Sequence, residues 1–315
     1  MNGAQSLFQV LTAAGLDTCF ANPGTSEMQL VYEMGRSDAV RPILCLQENV
    51  VTGAADGYAR MAGKPAFTLL HVGSGFANGI ANLHNAGRGN VPVVNIVGAN
   101  ASYHQPNFPE HEMIGGKIGD LARNVSHWTR EARTASELAP LGGEAVRAAM
   151  TGAGRIATLI APTNCHWDPA PGAPEFEAAS SNPRVSTETI ATARERLVNG
   201  GKTGLLLGTG ALSEGNLEAA GRIAAKTGAQ LMAETFPTRL ARGAGRVQVQ
   251  LVPYFLEMAQ MFFAEYEQLI LVGAMPPVST FAYRNSAMFK APESCEVWSL
   301  ASADYDIGRA LDDLV

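Results

Sequence analysis

The sequence predicts an α/β protein made of two doubly wound domains whose sheets are mainly parallel. Short, nearly continuous apolar segments alternate with helical patterns along the 315 residues, which is typical of βαβ units. One stretch rich in Pro, Ala and Ser, residues 168–187, lacks this period and separates two runs of the alternation. We therefore expect a first domain over residues 1–167, a linker over residues 168–187 and a second domain over residues 188–315.

The hydrophobic periods predict the elements in chain order. The first domain opens with a helix over residues 4–14, which Gly15 ends. A buried strand is expected at residues 42–46, and a closing strand at residues 155–161. The remaining strands of this domain are predicted at residues 16–21, 66–71 and 91–97, with helices beginning at Thr25, Glu48 and residue 76. The second domain is predicted to alternate strands at 204–207, 230–233, 268–272 and 296–300 with helices at 213–227, 253–264 and 304–314.

Composition argues against several classes of function. A net charge of −6 without a basic run disfavours nucleic acid as a partner. No apolar run reaches the roughly 18 residues that a membrane helix needs, and the N-terminus has no basic segment typical of a signal peptide. The four cysteines and six histidines lack metal-ligand spacing. We expect a cytoplasmic protein with reduced cysteines and no metal ligands of its own.

Polar residues follow three strands of the predicted first sheet. Thr25 follows the first strand, Glu48 the second and His71 the third. Because ligands of open parallel sheets bind at the carboxyl ends of strands, these side chains form one candidate pocket. Each also has a simple structural explanation: Thr25 as a helix N-cap, Glu48 as a first-turn acid favoured by the helix dipole, and His71 as a structural histidine.

The helix that begins at Glu48 is rich in small residues, which lets other backbone approach it closely. Two glycine patterns, Gly73-Ser74-Gly75 and Gly208-Thr209-Gly210, follow predicted strands. Neither places a third glycine at the offset of the dinucleotide-binding fingerprint. Tight strand-to-helix turns explain them better.

Several motifs together resemble the thiamine-diphosphate-dependent enzymes of the acetolactate synthase, benzoylformate decarboxylase and pyruvate decarboxylase group. They are Phe20-Ala21-Asn22-Pro23-Gly24-Thr25, Leu46-Gln47-Glu48, Ala54-Ala55-Asp56-Gly57-Tyr58-Ala59-Arg60, Gly63-Lys64-Pro65, Leu70-His71-Val72-Gly73-Ser74-Gly75, Asn78-Gly79 and Val91-Pro92-Val93-Val94. The resemblance covers nearly the whole chain. It implies the family's pyrimidine-binding domain followed by its central, Rossmann-like domain.

The resemblance also implies roles for individual residues. Glu48 matches the glutamate that bonds N1′ of the cofactor's aminopyrimidine, so we expect it to be buried and to share a proton with that ring. Thr25 and His71 match catalytic positions of benzoylformate decarboxylase, and His71 departs from the apolar Gly-Pro-Gly turn of acetolactate synthase. His111 and Glu112 match a substrate-site pair. The other positions implied to bind the cofactor are Pro23, Gly24, Gly73 and Asn78.

One element of the family pattern is missing from this sequence. The family holds Mg²⁺ and the diphosphate with a Gly-Asp-Gly motif and a later Asn, in a third domain. Here Gly119-Asp120 is followed by Leu121, and no Asn lies between Asn124 and Asn164. We therefore expect the first two domains of a three-domain enzyme, as a truncated chain, an incomplete gene product or one half of a split enzyme.

The expected function is thiamine-diphosphate-dependent decarboxylation or carboligation of a 2-oxo acid, incomplete in this chain alone. The site would be completed in a homo-oligomer or by a complementary diphosphate-binding chain. A first alternative is a non-catalytic partner subunit, since a chain of net charge −6 without metal ligands should bind a diphosphate weakly. A second and weaker alternative is an FAD- or NAD-binding protein.

Overall fold

The computed structural model describes residues 1–104, 117–282, 284 and 288–315. The chain divides into two compact units, Met1–Ser180 and Ser181–Val315. Each is an α/β unit built on a parallel sheet, so the predicted fold class is confirmed. Within the described residues, no helix is both long and apolar enough to cross a membrane.

The first unit contains a six-stranded parallel sheet with the order β2-β1-β3-β4-β6-β5. Its strands are β1 (Thr18–Asn22), β2 (Arg41–Leu44), β3 (Phe67–Leu70), β4 (Val93–Ala99), β5 (Trp128–Glu131) and β6 (Ile156–Pro162). Its helices are α1 (Gly3–Ala13), α2 (Met28–Gly35), α3 (Glu48–Ala62), α4 (Val72–Arg88), α5 (Ile118–Ala122), α6 (Ala135–Ala149) and α7 (Thr163–Trp167). A 3₁₀ turn, Thr25–Glu27, precedes α2, and another covers Ser102–His104.

The centre of this sheet is buried on both faces. Every residue of β3, β4 and β6 is buried, because helices cover both sides of a parallel sheet. Three polar side chains in these strands satisfy each other: Thr68 donates to Asn95 over 2.8 Å, and Asn95 donates to Thr158 over 3.1 Å. This ladder lets polar groups lie in an otherwise apolar core.

One expectation for this sheet is wrong, and one of its strands was not predicted. The strand predicted to be buried, β2, pairs only with β1 at the sheet edge, and Leu44 in it is 71% exposed. The last strand predicted for this unit, residues 155–161, is confirmed as β6, and β5, which was not predicted, pairs along its outer side. β5 is a half-exposed edge strand with a Trp-Thr-Arg-Glu sequence, so it has no apolar run that would indicate a strand.

The Pro- and Ala-rich stretch after α7 begins as part of the first unit. Ala173 and Phe176 pack against the core cluster formed by α1 and α6. Asn2 also forms a β-bridge with Pro169. Residues 168–180 are therefore ordered on the first unit rather than extended away from it.

The second unit contains a five-stranded parallel sheet with the order β11-β10-β7-β8-β9. Its strands are β7 (Thr203–Leu207), β8 (Gln230–Ala233), β9 (Gln250–Leu251), β10 (Gln268–Val272) and β11 (Glu296–Ala301), and its helices are α8 (Thr187–Asn199), α9 (Glu214–Thr227), α10 (Leu256–Phe263) and α11 (Ile307–Leu314). The turn after β7 holds Gly208, where an added Cβ would overlap the backbone of Gly273. This glycine serves a close approach of two strand ends, as expected for a structural turn.

Candidate active site

The predicted site residues Thr25, Glu48 and His71 follow three neighbouring strand ends of the first sheet. β2, β1 and β3 are adjacent and parallel, so their carboxyl ends lie at one edge of the sheet. Glu48 begins α3 after β2, the 3₁₀ turn with Thr25 follows β1, and His71 joins β3 to α4.

Glu48 occupies the first position of α3, with Gln47 as the N-cap. The helix N-terminus favours a carboxylate at this position. Oε2 of Glu48 accepts a hydrogen bond of 3.1 Å from the side-chain amide of Asn78 on α4, and no described residue donates to Oε1. The side chain is half-buried rather than buried, which corrects the sequence expectation. One carboxylate oxygen is therefore oriented while the other can accept a further donor.

Close packing of α3 on α4 fixes the position of Glu48 relative to Asn78. The Thr52 hydroxyl donates to the backbone carbonyl of Gly79 over 2.9 Å, and the Asn82 amide donates to the carbonyl of Asn49 over 2.7 Å. An added Cβ at Gly79 would lie only 2.9 Å from the Thr52 methyl group. The small residues of both helices thus permit the short separation that the sequence pattern indicated.

His71 lies at the N-cap position of α4, directly before a strained residue. Val72 has φ of +39°, a conformation that β-branched residues rarely adopt. The Val72 side chain is fully buried at this sharp strand-to-helix junction. His71 retains 22% side-chain exposure, and its Nδ1 lies 2.8 Å from Oε2 of Glu27.

Glu27 is a functional-site candidate that sequence reasoning missed. Its side chain is fully buried, and its Oε2 also accepts a 2.7 Å hydrogen bond from the Gly24 amide. Burial raises the pKa of the Glu27 carboxyl, and the Gly24 amide, the His71 imidazole and the Val72 amide partly offset that rise. The sequence indicated only helix-capping chemistry here. The sequence signal that could have identified Glu27 is its position three residues after Gly24, at the end of strand β1.

Two glycines make room for the imidazole and the carboxylate groups. An added Cβ at Gly24 would overlap Nδ1 of His71. At Gly75 an added Cβ would lie 3.3 Å from both Glu48 Oε1 and the His71 Cβ. Gly75 therefore forms a floor without a side chain between Glu48 and His71.

The other predicted site residues have less direct positions. Thr25 is exposed, and its hydroxyl bonds neither Glu48 nor His71. Pro23 lies half-buried in the turn after β1, and Gly73 is buried in the first turn of α4. His111 and Glu112 lie outside the described residues.

Comparison with known proteins finds a family model that matches most of the first unit. The family model described as "Thiamine pyrophosphate enzyme, N-terminal TPP binding domain" matches residues 1–122. Residues 1–122 are therefore similar to this domain family. The matched range holds β1 to β4, and with them Glu27, Glu48 and His71. The matched range therefore includes the whole candidate site.

Curated relatives extend the similarity beyond residues 1–122. The chain is 42% identical over 302 residues to a Mycobacterium tuberculosis protein named "Putative acetolactate synthase large subunit IlvX", covering 96% of this chain and 57% of that protein. It is 30% identical over 172 residues to benzoylformate decarboxylase of Pseudomonas aeruginosa, covering 55% of this chain and 32% of that enzyme. The chain thus spans little more than half the length of the first relative.

A solved structure shares the fold of this chain. The thiamine diphosphate-dependent 4-hydroxybenzoylformate decarboxylase of Rhodococcus jostii RHA1 superposes with a TM-score of 0.84. The match covers all of this chain and 62% of that structure at 21% sequence identity. At this identity the likeness establishes the fold of the chain.

Proposed function

We propose that this chain supplies the pyrimidine-facing half of a thiamine-diphosphate-dependent enzyme that decarboxylates or ligates a 2-oxo acid. The observation that carries the proposal is the carboxylate of Glu48, held by Asn78 beside the bare floor of Gly75. An oriented carboxylate with one oxygen available fits a ring nitrogen that donates a proton, and a floor without a side chain fits a flat ring. The described residues therefore suit the aminopyrimidine part of the cofactor.

The residues of this chain would divide the work between binding and proton transfer. When bound, thiamine diphosphate supplies the carbon acid that adds to the 2-oxo group and takes up the electrons of decarboxylation. Glu48 would exchange a proton with the ring nitrogen that it faces, and Asn78 would keep its carboxylate aligned. His71 would give or take a proton at the substrate, as an imidazole can near neutral pH. Thr25, Pro23, Gly24 and Gly73 would border the site.

We propose that the diphosphate and its Mg²⁺ are held by residues outside these 315. In the part of the chain that the structure describes, no group of three or more His, Cys, Asp or Glu residues could hold a metal ion. The active assembly would then be a homo-oligomer or a pair with a complementary chain.

The test is CO₂ release from a panel of 2-oxo acids by this chain fused to a diphosphate-binding domain. Glu48→Gln should lower turnover by roughly 10²-fold or more, the range of a lost acid–base group. Glu137→Gln is the matched control, because Glu137 is also a half-buried acid in the first turn of a helix of the same unit. Equal turnover of Glu48→Gln and wild type would refute the proposal.

A second candidate function is a non-catalytic subunit that binds the cofactor only together with a partner chain. The absence of a metal-ligand cluster among the described residues favours it. Calorimetry with thiamine diphosphate and Mg²⁺ on the chain alone separates the two candidates. Submicromolar binding would rule out the subunit function, while binding that appears only with a diphosphate-binding partner would support it.

A further inference from the structure

We propose that Glu27 fixes both the orientation and the tautomer of His71, so that His71 exchanges protons with substrate through Nε2. Only the use of His71 in turnover rests on the proposed function. The Glu27–His71 arrangement belongs to this chain by itself. Glu27 is therefore a positioning residue, which acts through His71.

Two groups, the Gly24 amide and the His71 imidazole, lie within hydrogen-bond distance of Oε2 of Glu27. Oε2 of Glu27 accepts from the Gly24 amide over 2.7 Å and lies 2.8 Å from Nδ1 of His71. An ionised carboxylate only accepts hydrogen bonds, so a proton between Oε2 and the ring belongs to Nδ1. Two donors on one oxygen stabilise the ionised form of the carboxylate. His71 then carries its proton on Nδ1.

The Glu27 carboxylate and the His71 imidazole both have little room to move. Glu27 is fully buried, and an added Cβ at Gly98 on β4 would overlap its Oε1. On the other side, an added Cβ at Gly24 would overlap the His71 ring. Backbone thus encloses the carboxylate and the imidazole from two sides. The strained Val72 next in the chain further restricts where the ring can point.

The contact with Glu27 determines which nitrogen of the His71 ring can exchange a proton with substrate. Nδ1 is engaged with a carboxylate that solvent does not reach, so a proton exchanged with substrate passes through Nε2. Oε1 of Glu27 has no hydrogen-bond donor in good geometry among the described residues, although the Val72 amide lies close enough to affect its pKa. A buried, incompletely satisfied carboxylate is costly for folding. Its retention beside His71 is consistent with a role in positioning.

The direct test is ¹⁵N NMR of the histidine rings of the whole chain at pH 8, with the His71 signals assigned from His71→Gln. We expect His71 in the Nδ1–H form. In Glu27→Gln, a measurable fraction should shift to the Nε2–H form. Glu33→Gln is the matched control, since Glu33 is a largely buried acid of α2 that accepts from Asn2, Gln5 and Gln29. An Nε2–H form in wild type would overturn the proposal, even if Glu27→Gln failed to fold.

A second variant reaches the same contact by steric means. Gly98→Ala should displace the Glu27 carboxylate without changing any charge, and should shift the His71 tautomer in the same direction. A folded Gly98→Ala and a folded Glu27→Gln that both keep the wild-type tautomer would overturn the proposal.

Turnover of this chain fused to a diphosphate-binding domain tests the effect of Glu27 on catalysis. Glu27→Gln should lower kcat by about 10-fold or more with little change in KM, because the fully buried Glu27 acts through His71. A changed KM with an unchanged kcat would contradict a positioning role. If wild type turns over no 2-oxo acid, the proposed function fails, but the NMR result still decides the Glu27–His71 arrangement.

Discussion

The side-chain amide of Asn78 on α4 donates a 3.1 Å hydrogen bond to the Glu48 carboxylate at the start of α3. Asn78→Ala should lower turnover of the fused enzyme by about 10-fold, because Glu48 loses the donor that orients it. Asn78→Asp should lower turnover further through repulsion between two carboxylates. Asn78 is exposed, so the free energy of unfolding should change by about 0.5 kcal/mol or less. Unchanged turnover in both variants would remove Asn78 from the site.

Gly24 and Gly57 should respond oppositely to the same substitution. Gly24→Ala places a methyl group in the His71 ring and should destabilise the protein by roughly 1–3 kcal/mol. Gly57 lies inside α3 with nothing near its absent Cβ, so Gly57→Ala should stabilise by about 0.5–1 kcal/mol. Urea unfolding of both variants measures the difference. A neutral Gly24→Ala would mean that the ring does not lie against the turn.

Asn95 tests the polar ladder inside the first sheet. Asn95→Ala removes the acceptor of the buried Thr68 hydroxyl, while the Thr158 hydroxyl keeps its hydrogen bond to Ser126, and should cost about 1–3 kcal/mol of unfolding free energy. Asn124→Ala, a change at an exposed Asn that bonds backbone carbonyls, should cost much less. Similar losses for the two variants would argue against a buried ladder.

His166 should make the first unit sensitive to acid. Burial lowers the pKa of His166 from 6.5 to about 4, and its Nε2 donates to the carbonyl of Ala161 over 3.0 Å. Between these two pH values the unfolded chain binds a proton that the folded chain does not, so stability falls as pH falls from about 6.5 to about 4. The full loss is about 3 kcal/mol.

His166→Gln keeps a donor for Ala161 but does not titrate. Its unfolding free energy should therefore fall less on acidification than that of wild type. Denaturant unfolding at pH 7 and pH 4 measures the difference, and the shared carboxylates cancel in the comparison. Parallel losses in the two proteins would show that His166 is protonated as readily in the folded state as in the unfolded state.

The sequence predicted the local parts of this fold well. The strand at Gln268–Val272 and the start of α3 at Glu48 agree with the structure, because an apolar run and a helix start are local signals. The edge position of β2 was not predictable in the same way. Its Pro-Ile-Leu sequence resembles that of a central strand, and only the pairing order leaves it exposed.

The candidate site shows the same division. The local sequence pattern located Thr25, Glu48 and His71 at strand ends, because the end of an apolar run and the start of a helix are both local sequence signals. It did not locate Glu27, for which the sequence indicated only helix-capping chemistry.

By itself, the sequence determined the alternation of strands and helices, the strand ends that carry polar groups and the motifs of a thiamine-dependent family. Only the tertiary structure decided that Glu27 lies buried against His71, 44 residues away, and that Asn78 holds Glu48. The physical reason is that backbone periodicity depends on neighbours in sequence. Burial, pairing order and the contacts of a carboxylate depend on which strands become neighbours in space.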